Sequence, residues 1–166
     1  MTLESIGPHD IIDKGFILRK TRRIFMSDLS RFLRAQERTH QNALRELRSG
    51  YKSSHWSWWE IPQVTGLGMT STSREYAIRD LAEAKEYLSN ATLRVHLLEL
   101  CDALLSLETS DAGYVMGYPD DLKLRSCMTL FLQAEPDCTS FQAVLDKYFD
   151  GKPDQRTMQI LSRQEG

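Results

Sequence analysis

The stretch Asn90-Ala-Thr-Leu-Arg-Val-His-Leu-Leu-Glu-Leu-Cys-Asp-Ala-Leu-Leu-Ser-Leu107 decides the fold class. Leu93, Leu97, Leu100, Cys101 and Leu104 recur at steps of three and four, the spacing that stacks side chains on one face of an α-helix. Asn90 stands at the head of the run, where its side-chain oxygen can accept a hydrogen bond from a backbone N–H that has no partner within the helix. A helix this apolar is expected at the centre of the core.

The neighbouring segments carry the same period. Over residues 28 to 49, Leu29, Phe32, Leu33, Ala43, Leu44 and Leu47 form one face, with Ser27 at the N-cap position and Gly50 as the stop. Gln36 and His40 stand on that apolar stripe, where a polar side chain must find a hydrogen-bond partner. They are either satisfied core polars or the lining of a site. Thr72-x-x-Glu75 reads as a capping box opening a helix through Leu88, with Ala77, Ile78, Leu81, Ala84 and Leu88 inward. After a loop broken by Gly113 and Gly117, Pro119-Asp120-Asp121 starts a helix to Ala134 that turns Leu124, Cys127, Met128 and Phe131 to one side. Thr139 or Ser140 opens a helix carrying Phe141, Val144, Leu145, Tyr148 and Phe149. Asp150-Gly151 ends it, before a last short helix with Met158 and Leu161. No strand pattern appears. The expectation is an all-α domain of five or six helices over residues 27 to 163, preceded by an arm, 1 to 26, whose Arg19, Lys20, Arg22 and Arg23 read as a solvated charge run.

Composition narrows the function classes. At 41% hydrophobic and 27% charged, 166 residues can bury a core of their own. A net charge of −2 argues against a nucleic-acid binder that works by neutralising phosphates. Cys101, Cys127 and Cys138 have no C-x-x-C spacing and leave one thiol over, which argues against a disulfide framework and points to a reducing, cytoplasmic setting. No run approaches the roughly 20 apolar residues that span a bilayer, and no export signal is read. Enzyme motifs such as a nucleophile elbow or a phosphate-binding glycine loop are absent. His9, His40, His55 and His96 include no metal-spaced pair with a carboxylate, so neither metal nor cofactor is expected.

The chemistry concentrates in Ser53-Ser-His-Trp-Ser-Trp-Trp-Glu-Ile-Pro-Gln-Val-Thr-Gly-Leu-Gly68, a long connection after the first core helix that holds all three tryptophans. Structureless loops of this length in compact domains are usually functional or disordered, and indoles favour the former. Trp56, Trp58 and Trp59 finish the core, line a pocket, or anchor a protein partner. The pocket reading assigns stacking faces to the indoles and hydrogen bonds to Gln36, His40, His55 and Gln63. Lys123, Arg125, Ser126 and Thr129, on a helix side free of acidic residues after its first turn, would hold an anionic group such as a nucleotide phosphate. If a reaction occurs, His55 or Glu60 is the candidate base. The alternative is a non-catalytic protein–protein interaction module with exposed indoles as anchors.

Three blocks coincide: Phe32-x-x-Ala-Gln36, Lys52-Ser-Ser-His-Trp-Ser-Trp-Trp-Glu-Ile-Pro-Gln63 and Pro119-Asp-Asp-Leu-Lys-Leu-Arg-Ser-Cys-Met-Thr-Leu-Phe131, followed by Val144-Leu-Asp-Lys-Tyr-Phe-Asp-Gly151 and Asp154. Together they resemble the domain-of-unknown-function family 1810, across residues 28 to 161. The resemblance implies a compact all-helical domain and brings no activity with it. The calpastatin label some members carry belongs to a disordered repeat inhibitor, and this chain has neither repeats nor a disordered composition.

Overall fold

The computed structural model describes residues 28–166; the expected arm and the expected cap Ser27 lie outside them. Nine helices occur among the described residues. They are α1 (Ser30–Ser49), α2 (Ser57–Glu60), α3 (Ser71–Glu75), α4 (Leu81–Ser89), α5 (Ala91–Ser106), α6 (Ala112–Met116), α7 (Asp120–Ala134), α8 (Thr139–Phe149) and α9 (Gln155–Glu165). The long ones lie where the apolar period places them, and α2, α3 and α6 are short helices that it does not reveal. The expected count of five or six therefore misses these pieces, each too short to display a 3.6-residue period.

Local chemistry explains the boundaries. Asn90 caps α5 by accepting from Leu93 N at 3.1 Å. Gly50, at φ 85°, ends α1 in the left-handed conformation that glycine adopts without steric cost. The capping box at Thr72 and Glu75 does not form. Thr70 caps α3 instead, the helix stops at Glu75, and Asp80 opens α4 by accepting from Glu83 N at 2.9 Å. The interruption has a tertiary cause. Ile78 is fully buried, and its backbone exchanges hydrogen bonds with Gln63 O (2.9 Å) and Thr65 N (2.8 Å) in a parallel bridge to Val64. No helix could make that bridge. Arg31 reinforces the crossing by donating to the carbonyls of Glu75 (2.8 Å) and Ala77 (3.0 Å) and to Glu83 (3.1 Å).

The expected central helix is central. The stripe Leu93, Leu97, Leu100, Cys101 and Leu104 of α5 is buried, with α1 and α8 packed against it. α7 packs between α4 and α8 and also meets α2 and α9, so its polar side is covered by the Trp segment and by the start of α9. The candidate site lies at that junction. Among the described residues no helix is long and apolar enough to cross a membrane.

Candidate functional site

The Trp segment hangs from α1 through a residue that the sequence reading passes over. Glu46 is buried, and its Oε1 accepts from Ser53 N (2.6 Å), Ser54 N (2.8 Å) and Trp56 Nε1 (3.3 Å), while Oε2 accepts from Asn42 and the Ser54 hydroxyl. Burial alone would raise this carboxyl, but the converging donors outweigh it and hold it down at about 2. Glu46 lies three residues after Ala43 on the apolar face, and that spacing was the available signal. Trp56, 1% exposed, is core.

The single turn of α2 sends the next two indoles different ways. Trp59 faces α1: its Nε1 donates to Thr39 Oγ1 (2.9 Å), Thr39 donates to Glu60 Oε2 (2.9 Å), and Glu60 Oε1 meets His40 Nδ1 (2.8 Å). Gln36 donates to Trp59 O (2.7 Å) and Tyr87 Oη (2.9 Å). Gln36, His40 and Glu60 are thus buried polars that brace the Trp segment, and Gln36 and His40 also border a cavity between α1 and α5. One atom stands apart, because His40 Nε2 is buried without a hydrogen-bond partner.

Trp58 faces α7. It lines a cavity of about 340 Å³ together with Gln63, Lys123, Arg125 and Ser126, and the first turn of α9 adds Asp154 and Arg156. Lys123 Nζ lies 3.7 Å over the Trp58 ring and 2.9 Å from Asp120 Oδ1, whose other oxygen is 2.6 Å from Lys52 Nζ. Burial would raise Asp120, but hydrogen bonds from Lys52 and Lys123 prevail and keep its carboxyl below the usual range. Arg125 donates to the carbonyls of Lys152 (2.9 Å) and Pro153 (3.1 Å), contacts that orient the guanidinium without neutralising it. Ser126 donates onward to Leu122 O (3.0 Å) and Asp154 Oδ2 (3.0 Å). Asp154 also caps α9, accepting from Thr157 N at 3.1 Å.

Gly68 lets the loop close on this wall. A Cβ there would lie 2.4 Å from Ser73 Cβ and 3.3 Å from Trp58 Cη2. Gly68→Ala is therefore expected to cost about 1–3 kcal/mol, as overpacking does, and to shift the Trp58 emission. Unchanged stability and emission would show that the loop yields freely.

The expected site thus divides. Trp58, Gln63, Lys123, Arg125 and Ser126 share one cavity, and His55, exposed, lines a small recess beside it with Trp58, Asp120 and Lys123. Thr129 is buried beneath, donating to Arg125 O (2.8 Å) and accepting from Asp154 N (2.8 Å). Gln36, His40, Glu60 and Trp59 belong to the α1 network, and Trp56 to the core. His55 and Glu60, the two candidate bases, lie in different surroundings, and both oxygens of Glu60 are engaged. The polar side of α7 read as acid-free acquires a carboxylate from Asp154, and Arg156 joins it; no periodicity on α7 could announce residues delivered by α9. Among the described residues no group of three metal-ligating side chains occurs.

The family model described as protein of unknown function (DUF1810) matches residues 26–161. A crystal structure of a conserved hypothetical protein from Mycobacterium tuberculosis is similar to this chain, with a TM-score of 0.80 and 38% sequence identity over 81% of this chain and 96% of that one. A search of curated proteins finds no match.

Proposed function

We propose that this chain, which belongs to the DUF1810 family of proteins of unknown function, binds a small anionic ligand such as a nucleotide or an ADP-ribose-like compound in the cavity between Trp58, α7 and α9. The observation that carries the reading is the charge of the lining: Lys123, Arg125 and Arg156 against the carboxylate of Asp154, around one indole and one amide. Asp120 offsets Lys123 but is shared with Lys52. Arg156 has no hydrogen bond or ion pair among the described residues. The ammonium of Lys123 is held between Trp58 and Asp120, so little side-chain entropy is left to lose on binding a phosphate. An apolar wall with a few convergent polar groups is the usual make-up of a small-molecule site.

The interaction-module alternative requires exposed indoles. Trp56 is buried, Trp58 and Trp59 are partly so, and the exposed large apolar side chains are others, such as Met69 and Tyr118. The pocket is therefore the better supported of the two.

Thermal shift with AMP, ATP, ADP-ribose and inorganic phosphate tests the proposal. A ligand present at about 100 times its Kd adds about 2.7 kcal/mol of stability, and that gain is expected to vanish in Lys123→Ala and Trp58→Ala. Absence of any shift across these anions, or a shift that survives both substitutions, would refute it.

A further inference from the structure

A second cavity, of about 380 Å³, lies between α1 and α5 and is lined by Gln36, Glu37, His40, Gln41, Thr92 and His96 beside Leu33. It shares no lining residue with the Trp58 cavity. Its floor is a pair of stacked imidazoles, His40 and His96, with centroids 3.7 Å apart and planes at 18°.

The hydrogen-bond network determines what these rings offer. A carboxylate oxygen only accepts, so His40 Nδ1, 2.8 Å from Glu60 Oε1, carries a proton, and in the neutral ring Nε2 is the acceptor. Gln36 spends its amide N–H groups on Trp59 O and Tyr87 Oη, which leaves Oε1 to accept from His96 Nδ1 at 2.8 Å. The Nε2 of His96 is then also an acceptor. Burial lowers the proton affinity of His96, partly countered by Glu99, which favours the neutral ring at pH 7.

The surroundings repeat this sign. Glu37 belongs to the lining, Glu99 Oε1 lies 3.8 Å from His40 Nε2, and Glu60 stands behind the ring. Among the described residues no Lys or Arg lines this cavity or the adjoining hollow of Ala91, Thr92, Val95, His96 and Glu99. His40 Nε2 is buried and lacks a hydrogen bond, which leaves a polar atom of the lining to be met by a partner from outside the chain.

From this geometry we infer that the α1–α5 cavity is a second binding site, specific for a small organic cation that donates hydrogen bonds, a protonated primary amine. The ammonium group supplies donors to the Nε2 lone pairs and is attracted by Glu37 and Glu99. Anions are repelled, which separates this site from the Trp58 cavity by charge as well as by place.

The test follows the imidazole Nε2 resonances of His40 and His96 by long-range proton–nitrogen NMR correlation during titration of the full chain with ethylamine and putrescine hydrochlorides. Ethanol and sodium acetate serve as neutral and anionic counterparts. The amines are expected to move both resonances saturably, ethanol and acetate to leave them in place, and Glu37→Gln and Glu99→Gln each to weaken the amines about threefold to tenfold. Both carboxylates reach solvent, so these variants keep the fold. Lys123→Ala is expected to bind amines as the parent does, which keeps this result independent of the anion pocket. No saturable movement with either amine, equal movement with acetate, or undiminished binding in the Glu37→Gln/Glu99→Gln double variant overturns the inference.

Discussion

Glu60→Ala is expected to lower the stability of the fold by about 2–5 kcal/mol, the scale of a stranded buried donor together with the cavity left by a fully buried side chain. Glu60 is 1% exposed, and its two oxygens are the acceptors for His40 Nδ1 and Thr39 Oγ1. Truncation strands the His40 donor and leaves Thr39, which positions the Nε1 of Trp59, only the Ala35 carbonyl at 3.3 Å. The side chain also vacates volume under α2, which adds a cavity term. Glu60→Gln keeps the volume and one carbonyl acceptor and is expected to cost about 1–2 kcal/mol, an ordinary hydrogen-bond loss. Urea unfolding followed by Trp fluorescence distinguishes them. If Glu60→Ala cost no more than Glu60→Gln, the carboxylate would be a bystander in the network.

The second large effect belongs to Glu46. Five donors converge on its carboxylate, and an amide in its place would turn an NH₂ toward some of them. Glu46→Gln is expected to lose about 2–3 kcal/mol, or roughly 5–10 °C in Tm for a chain of this size. The parent carries a matching pH dependence. The folded-state carboxyl titrates at about 2, below its ordinary 4.5, so its stabilisation is complete above pH 4.5 and is lost as the pH falls from there toward 2. Glu46→Gln is expected to flatten the acid limb of the stability curve in that window. An identical acid limb in variant and parent would mean that the anchor is not the ionised carboxylate.

The two anchors explain why the Trp segment is so well defined although it contains only one turn of helix. Glu46 grips its start and Glu60 its end, both against α1, and Trp58 between them is left to face α7. That division sorts the polar residues near the tryptophans. Residues meeting α1 anchor the Trp segment, and residues meeting α7 and α9 surround the Trp58 cavity.

Much of this was legible without coordinates. The α5 stripe, the Asn90 cap, the Gly50 stop and the Pro119-Asp-Asp start all act through neighbours three or four residues away, and such short-range physics is written in the order of residues. The same logic misled at Thr72, where a well-formed capping signal lost to the backbone pairing of Ile78 with Gln63 and Thr65. Local preferences are worth about 1 kcal/mol each, and a buried residue with paired backbone groups outbids them.

By itself the sequence determined the all-helical class, the inward face of each long helix, and the residue types from which a site could be built. It also placed Gln36 and His40 on a buried stripe, from which their need for partners follows. Only the tertiary structure decided who those partners are: Trp59, Tyr87, Glu60 and His96 for the one pair, and on α7 the Lys152 and Pro153 carbonyls for Arg125 and Asp154 for Ser126. Helical period reports which way a side chain faces, because it is a property of one helix. What the side chain meets there depends on residues twenty to sixty positions away, and their approach is set by how whole helices pack.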